Sequence, residues 1–214
     1  MTRALGGLAV VGLLAGLAAG FLYAPREAIQ GNVQRIMYLH VPSVLTAYLA
    51  FALVLVGSTA YLATRRRGWD RLAGSAGEIG VLFTGLTIVS GSIWGKPTWG
   101  TWWTWDARLT STAVLFLVYV GYLMLRSLIE DPDARARYAA VVGILGAVNI
   151  PIVHFSVKWW RALHQPSTIL GPEPSPLAFP LKLALYVNIV AFILLFGYLL
   201  ARRVEVARLE EETI

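Results

Sequence analysis

"SVLTAYLAFALVLVGSTAYLA", residues 43–63, runs for 21 positions without a single charge. A bilayer core about 30 Å thick is crossed by about 20 apolar residues of helix. The stretch therefore reads as a transmembrane helix, and five others read the same way: Leu5–Tyr23, Ile79–Trp94, Leu109–Leu128, Tyr138–Phe155 and Phe179–Ala201. The first run has no small-x-small cleavage site ahead of Tyr23-Ala24-Pro25, so it is taken as a span and not as a signal peptide. The expected fold is an all-α integral membrane protein. It is a single six-helix transmembrane bundle over residues 1–214, with no segment left over for a soluble domain. Composition agrees: 57% hydrophobic, 14% charged and a mean hydropathy of +0.64 are too apolar for an ordinary soluble domain.

The net charge of +6 comes from arginines placed between apolar runs, which is a topology signal and not a nucleic-acid patch. Eleven lysines and arginines fall on one side of the bundle, among them Arg65, Arg66, Arg67, Arg71, Arg126, Arg135, Arg137, Arg202, Arg203 and Arg208; seven fall on the other. The bias predicts both termini in the cytoplasm and the loops 24–42, 94–108 and 156–178 outside, periplasmic in a bacterium. Glu78 and the tail "VEVARLEEETI" are expected to be solvated, the tail as a frayed end of the last helix. The chain has no cysteine, which excludes thiol catalysis, disulfides, iron–sulfur clusters and covalent haem attachment through C-x-x-C-H. There is no phosphate-cradling glycine loop, no paired carboxylates and no serine–histidine–aspartate set.

This topology gathers the unusual residues on the outer side. "WGKPTWGTWWTWDARLTS", residues 94–111, holds Trp94, Trp99, Trp102, Trp103 and Trp105 ahead of Asp106 and Arg108. One reading is an aromatic belt at the headgroup level. The other is a platform for a flat ligand: five rings in one loop exceed a belt, and Gly95, Pro97 and Gly100 shape a surface. Trp99, Trp102, Trp103 and Asp106 stand at i, i+3, i+4 and i+7, the spacing of one helical face. Asp106 is read as structural support at the head of the fourth span.

In the first outer loop Ile29, Val33, Ile36, Met37 and His40 form one stripe, expected as a short interfacial helix that Val41-Pro42 stops. His40 alone is as well explained by packing at a helix end. A second outer histidine, His164, stands beside Trp159 and Trp160. Two imidazoles flanking a tryptophan platform match axial ligation of haem iron. Haem carboxylates call for arginine or lysine, with Arg35, Arg108, Lys158 and Arg161 as candidates. His154, near Asn149 and Pro151, is read as packed within a polar, kinked fifth span.

The three stretches "RIMYLHVP", "WWRALHQPSTI" and the tryptophan-rich 94–111 together resemble the cytochrome c maturation protein C family, also called haem exporter protein C, over nearly the whole chain. The tryptophan motif, known as WWD, also occurs in larger haem lyases and synthases, which carry additional helices and histidines. The resemblance implies a haem-transfer component of the bacterial inner membrane, not an enzyme, that binds haem b at the periplasmic face. By this resemblance His40 and His164 are the axial ligands and Trp94 to Asp106 the platform. The implied partners are a periplasmic haem chaperone, cytochrome c maturation protein E, the ABC transporter subunits A and B, and a small membrane protein D. Two other readings remain at this point: a bis-histidine electron-transfer subunit, and a permease-assembly subunit without a cofactor.

Overall fold

The computed structural model describes residues 2–160, 162–164 and 177–213, all of them helical or in short connections apart from one isolated β-bridge, Glu27–Gly31. The helices are α1 (Thr2–Ala18), which runs on through a π turn, Ala19–Tyr23; α2 (Met37–Thr64), preceded by the 3-10 turn Val33–Ile36; α3 (Arg67–Trp99); α4 (Ala107–Leu128); α5 (Pro132–Ala147); α6 (Asn149–Trp159); and α7 (Phe179–Thr213). With α5 and α6 joined end to end, six helical segments among the described residues are long and apolar enough to cross a membrane, as expected. Helices satisfy their own backbone polar groups, which a lipid environment demands.

Local chemistry sets the ends. Arg65 adopts the left-handed conformation (φ 57°) and returns its N–H to the Tyr61 carbonyl, closing α2. Gly100 does the same for α3 (φ 79°), bonding the Lys96 carbonyl at 3.0 Å. Asp131 caps α5 through the Ala134 N–H at 2.7 Å, with Pro132 at the first helical position. The α5–α6 break falls at Val148. Beyond it Pro151 lacks an N–H, and Asn149 Nδ2 donates to the Ser111 carbonyl on α4 at 2.9 Å. The kink is thus also a helix-packing device.

Several expectations give way. Pro42 does not stop a helix: α2 starts at Met37 and runs through it. Membrane helices tolerate proline where neighbouring groups satisfy the freed backbone. His40 consequently belongs to the first turn of a spanning helix and not to the end of an interfacial one. Residues 28–32 are not helical, and Ile29 is almost fully exposed. Helix α3 is far longer than Ile79–Trp94, because its early residues Ala73, Gly74, Ala76 and Gly77 are small enough to bury against neighbours without being strongly apolar. The tail is not frayed. Arg71 holds Glu211 with two contacts (2.7 and 3.3 Å), and Arg203 reaches Glu210. Glu78 is not simply solvated either, since Arg203 grips it at 2.6 and 2.9 Å.

The core lies where α2, α3, α4 and α5 meet. Phe51 stacks on Tyr119 at 3.7 Å between ring centres, and a Cβ at Gly80 would collide with Phe51. At the arginine-rich end, Arg126 of α4 forks onto Asp70 of α3 (2.5 and 3.0 Å) and also approaches the Tyr122 hydroxyl at 3.5 Å. Gly74 makes the space, since a Cβ there would meet the guanidinium at 2.8 Å. Both partners of the pair are largely buried. Removing one partner leaves an uncompensated charge, which costs about 3–5 kcal/mol. Arg126→Met is therefore expected to lower the thermal unfolding midpoint of the detergent-purified protein steeply. Asp70→Leu combined with Arg126→Met is expected to recover most of the loss; an Arg126→Met midpoint equal to the parent's would refute that weight.

Candidate functional site

At the end of the bundle opposite the Asp70–Arg126 pair, α2, α3, α4 and α6 diverge around a cavity of about 730 Å³, counting the space at its mouth. His40, Ala47 and Tyr48 of α2 form one wall; Thr84, Thr87, Gly91 and Ser92 of α3 form the next; Arg108, Thr112 and Leu115 of α4 and Val153 of α6 complete it. Trp99, Trp103 and His164 stand over the outer part. Both outer histidines thus reach one cavity, although 123 positions separate them in the chain.

The two imidazoles are mounted differently. His40 Nδ1 lies 3.1 Å from Ser90 Oγ, and the ring meets Trp94 edge-on at 5.7 Å. Trp94 is fixed from behind by Gln30, whose Oε1 accepts the indole N–H at 2.8 Å. His164 sits on a connection, edge-on to Trp99 at 4.6 Å between centres. Its Nδ1 is 3.5 Å from Asp106 Oδ2 and has no hydrogen-bond partner among the described residues. Burial pushes the His164 imidazole below its ordinary value; the Asp106 carboxylate opposes that shift and the Arg108 guanidinium adds to it. Near neutral pH His164 is therefore a neutral imidazole with a lone pair.

Asp106 has three tasks. It caps α4 through the Leu109 N–H at 2.8 Å, receives the Leu163 N–H at 3.3 Å, and lies against His164. This is the structural support expected of it, achieved by tying the tryptophan loop to the histidine loop. Arg108 does not pair with it in an ion pair; its guanidinium donates to the His154 carbonyl at 2.8 Å, and its Nε is buried without a partner.

The five tryptophans divide. Trp99 and Trp103 line the cavity, and Trp103 Nε1 is buried without a partner. Trp94 backs His40, whereas Trp102 and Trp105 are 57% and 81% exposed. The single helical face expected for Trp99, Trp102, Trp103 and Asp106 does not form, because Gly100 ends α3 and residues 101–106 are non-helical. Platform and belt therefore each describe part of the loop. Arg35 is not at the cavity. It donates to the Phe21 and Ala24 carbonyls (2.5 and 3.4 Å), closing the end of α1. Lys158 lies over the Phe155 ring instead, and Arg161 with residues 165–176 falls outside the described residues. The side chain of His154 meets Tyr48 and Phe155 edge-on and does not line the cavity. Sequence reasoning missed Tyr48, Thr84, Thr87, Ser90, Gly91 and Thr112. The recurrence of small and hydroxyl residues at positions 80, 84, 87, 90 and 91 of an otherwise apolar run was the available signal.

Asparagine caps a helix as well as aspartate does, whereas alanine costs about 1 kcal/mol. Asp106→Ala is expected to lower stability by that amount and Asp106→Asn to spare it, as read by thermal unfolding. Asp106→Asn also removes the one influence holding His164 up, so its imidazole should titrate at still lower pH by NMR. A folded value depressed below the unfolded one means that stability is lost as pH falls from the ordinary imidazole range toward the folded value. An upward shift in Asp106→Asn would contradict this account.

The family described as heme exporter protein C matches residues 1–214 of the chain. Among curated proteins, heme exporter protein C of Bradyrhizobium diazoefficiens is 41% identical over 187 residues, covering 86% of this chain and 71% of its own. That of Haemophilus influenzae is 37% identical over 205 residues (96% and 83%), and that of Escherichia coli K12 is 40% identical over 178 (83% and 73%).

Proposed function

Because the chain belongs to the heme exporter protein C family, and is thus a multi-pass membrane component of haem transport in c-type cytochrome biogenesis, we propose that its outer cavity holds haem between His40 and His164 for delivery to a periplasmic haem chaperone. The observation that carries the reading is the donor set. No group of three or more histidines, aspartates or glutamates able to hold a bare ion converges among the described residues. Two imidazoles do reach one cavity walled by indoles. A bare transition metal asks for three or four protein ligands, whereas haem iron asks for one or two.

The fit extends to charge. Arg108 Nε and Trp103 Nε1 are buried donors with no partner among the described residues, and buried donors are costly unless paired. Haem propionates supply acceptors, and Arg108, which lines the cavity, is a cation suited to meet one. Haem is the cargo, and its redox and ligand-exchange chemistry belongs to the macrocycle. The protein's own residues orient it, exclude water and leave an edge free. In this reading the arginine-rich end faces the cytoplasm of the inner membrane, and the ABC transporter A and B subunits and the small protein D supply the energy-coupled surroundings. The recipient is cytochrome c maturation protein E.

Purified with haem, the parent protein is expected to show a low-spin bis-imidazole spectrum and to lose its haem to added apo-chaperone. His40→Ala and His164→Ala each change that spectrum and impair transfer, while His154→Ala leaves ligation intact. Trp103→Ala weakens retention without lowering the amount of folded protein. A parent with no Soret band after haem supplementation, or loss of the spectrum only in the His154 variant, overturns the reading.

A further inference from the structure

We propose that Ser90 is the positioning residue of His40: it accepts the Nδ1 proton, fixes the imidazole in one tautomer, and so presents a bare Nε2 lone pair to the cavity. The inference rests on the reading of His40 as an iron ligand.

The argument is a proton count. The Ser90 side chain is nearly inaccessible, at 3% exposure, and its Oγ has three polar neighbours. The carbonyls of Leu86 (2.7 Å) and Thr87 (3.3 Å) can only accept; His40 Nδ1 (3.1 Å) can do either. A hydroxyl has one hydrogen and two lone pairs. The shorter contact takes the hydrogen to Leu86, the usual bond of a serine to its own helix one turn back. What Ser90 has left for His40 is a lone pair, so the imidazole must be the donor. A neutral ring with its hydrogen on Nδ1 has none on Nε2.

The residues around Ser90 fit the same task. A Cβ on Gly91 would stand 3.0 Å from His40 Cε1 and 3.4 Å from Nδ1, so a larger residue there would push the ring a few tenths of an ångström away from α3. Trp94, one turn further, meets the ring edge-on. Positions 90, 91 and 94 of α3 thus form a mount: an acceptor for one nitrogen, an opening for the ring, and a stop for its face. The acceptor is also of a particular strength. A carboxylate on Nδ1 would draw the ring toward imidazolate and tighten its grip on iron. A hydroxyl oxygen orients the ring with a weaker push, which suits a ligand that has to let its cargo go.

Outer partners of a metal-bound histidine typically change metal affinity by about 10- to 100-fold. The test compares Ser90→Thr with Ser90→Val, which share a shape and differ in the hydroxyl, alongside Ser90→Ala. Haem dissociation and the iron midpoint potential are read on purified haem-loaded protein. Ser90→Val and Ser90→Ala should release haem about tenfold faster and shift the potential upward, because the imidazole loses electron density. Ser90→Thr should stay near the parent. In a His40→Ala background Ser90→Val should add nothing, the signature of a residue acting through another. Equal behaviour of the Thr and Val variants, or the full Ser90→Val effect without His40, overturns the proposal. If His40→Ala itself leaves the spectrum unchanged, the ligand reading fails; if it abolishes the spectrum while the Ser90 variants match the parent, only the positioning role fails.

Discussion

Close approach along one face of α3 is the constraint on which the rest depends. Gly74 admits the Arg126 guanidinium, Gly77 admits the Tyr122 ring and Gly80 admits Phe51. In lipid the apolar side chains of a helix gain little by meeting each other, so packing relies on small residues that let neighbours come near. The same face continues through Thr84, Thr87 and Gly91. There the neighbours splay and the spared volume becomes a cavity instead of a contact. From Thr84 to Gly91 is seven residues, about 10 Å of helix, so the cavity reaches well below the level of His40.

That face is polar without being costly. Thr84, Thr87 and Ser90 each return the hydroxyl hydrogen to a carbonyl of α3 itself (Gly80, Phe83 and Leu86) at 2.7 to 2.8 Å. Within the bundle they count as satisfied, yet each keeps oxygen lone pairs. The opposite end of the same helix solves the harder problem of a buried carboxylate by bringing a guanidinium to it in a forked pair. One helix therefore carries a fixed ionic lock at one end and a set of hydroxyl acceptors at the other, the Ser90 one facing His40. The first holds α3 to α4; the second leaves room beside it.

Much of this was legible in the chain. Uncharged runs such as 43–63 force helices by length alone, and six such runs return the chain to the side from which it started. Histidines and tryptophans were expected together at one end of the bundle, and the structure brings His40, Trp99, Trp103, Arg108 and His164 to one cavity. The illegible part was set by contacts between residues distant in sequence. Helical spacing from Trp99 to Asp106 is real in the chain, but the left-handed Gly100 cancels it. Arg35 reads as a free cation until the open end of α1 is folded beside it and accepts from two of its nitrogens. Ser90 and Gly91 look like filler in an apolar span, because a serine's importance lies in which imidazole it faces, and that imidazole is 50 positions away.

The two sides of the cavity are built differently. His40 is embedded in α2 and braced by Ser90 and Trp94 of α3, so moving it means moving packed helices. His164 is held outside any helix, edge-on to Trp99 and beside an Asp106 that also holds the Leu163 N–H. On the proposed reading of both imidazoles as haem ligands, one would stand on a packed scaffold and the other on a connection placed against Trp99 and Asp106. Trp102, Trp105, Trp159 and Trp160 are exposed on that side, and aromatic rings so placed suit the headgroup layer of a membrane.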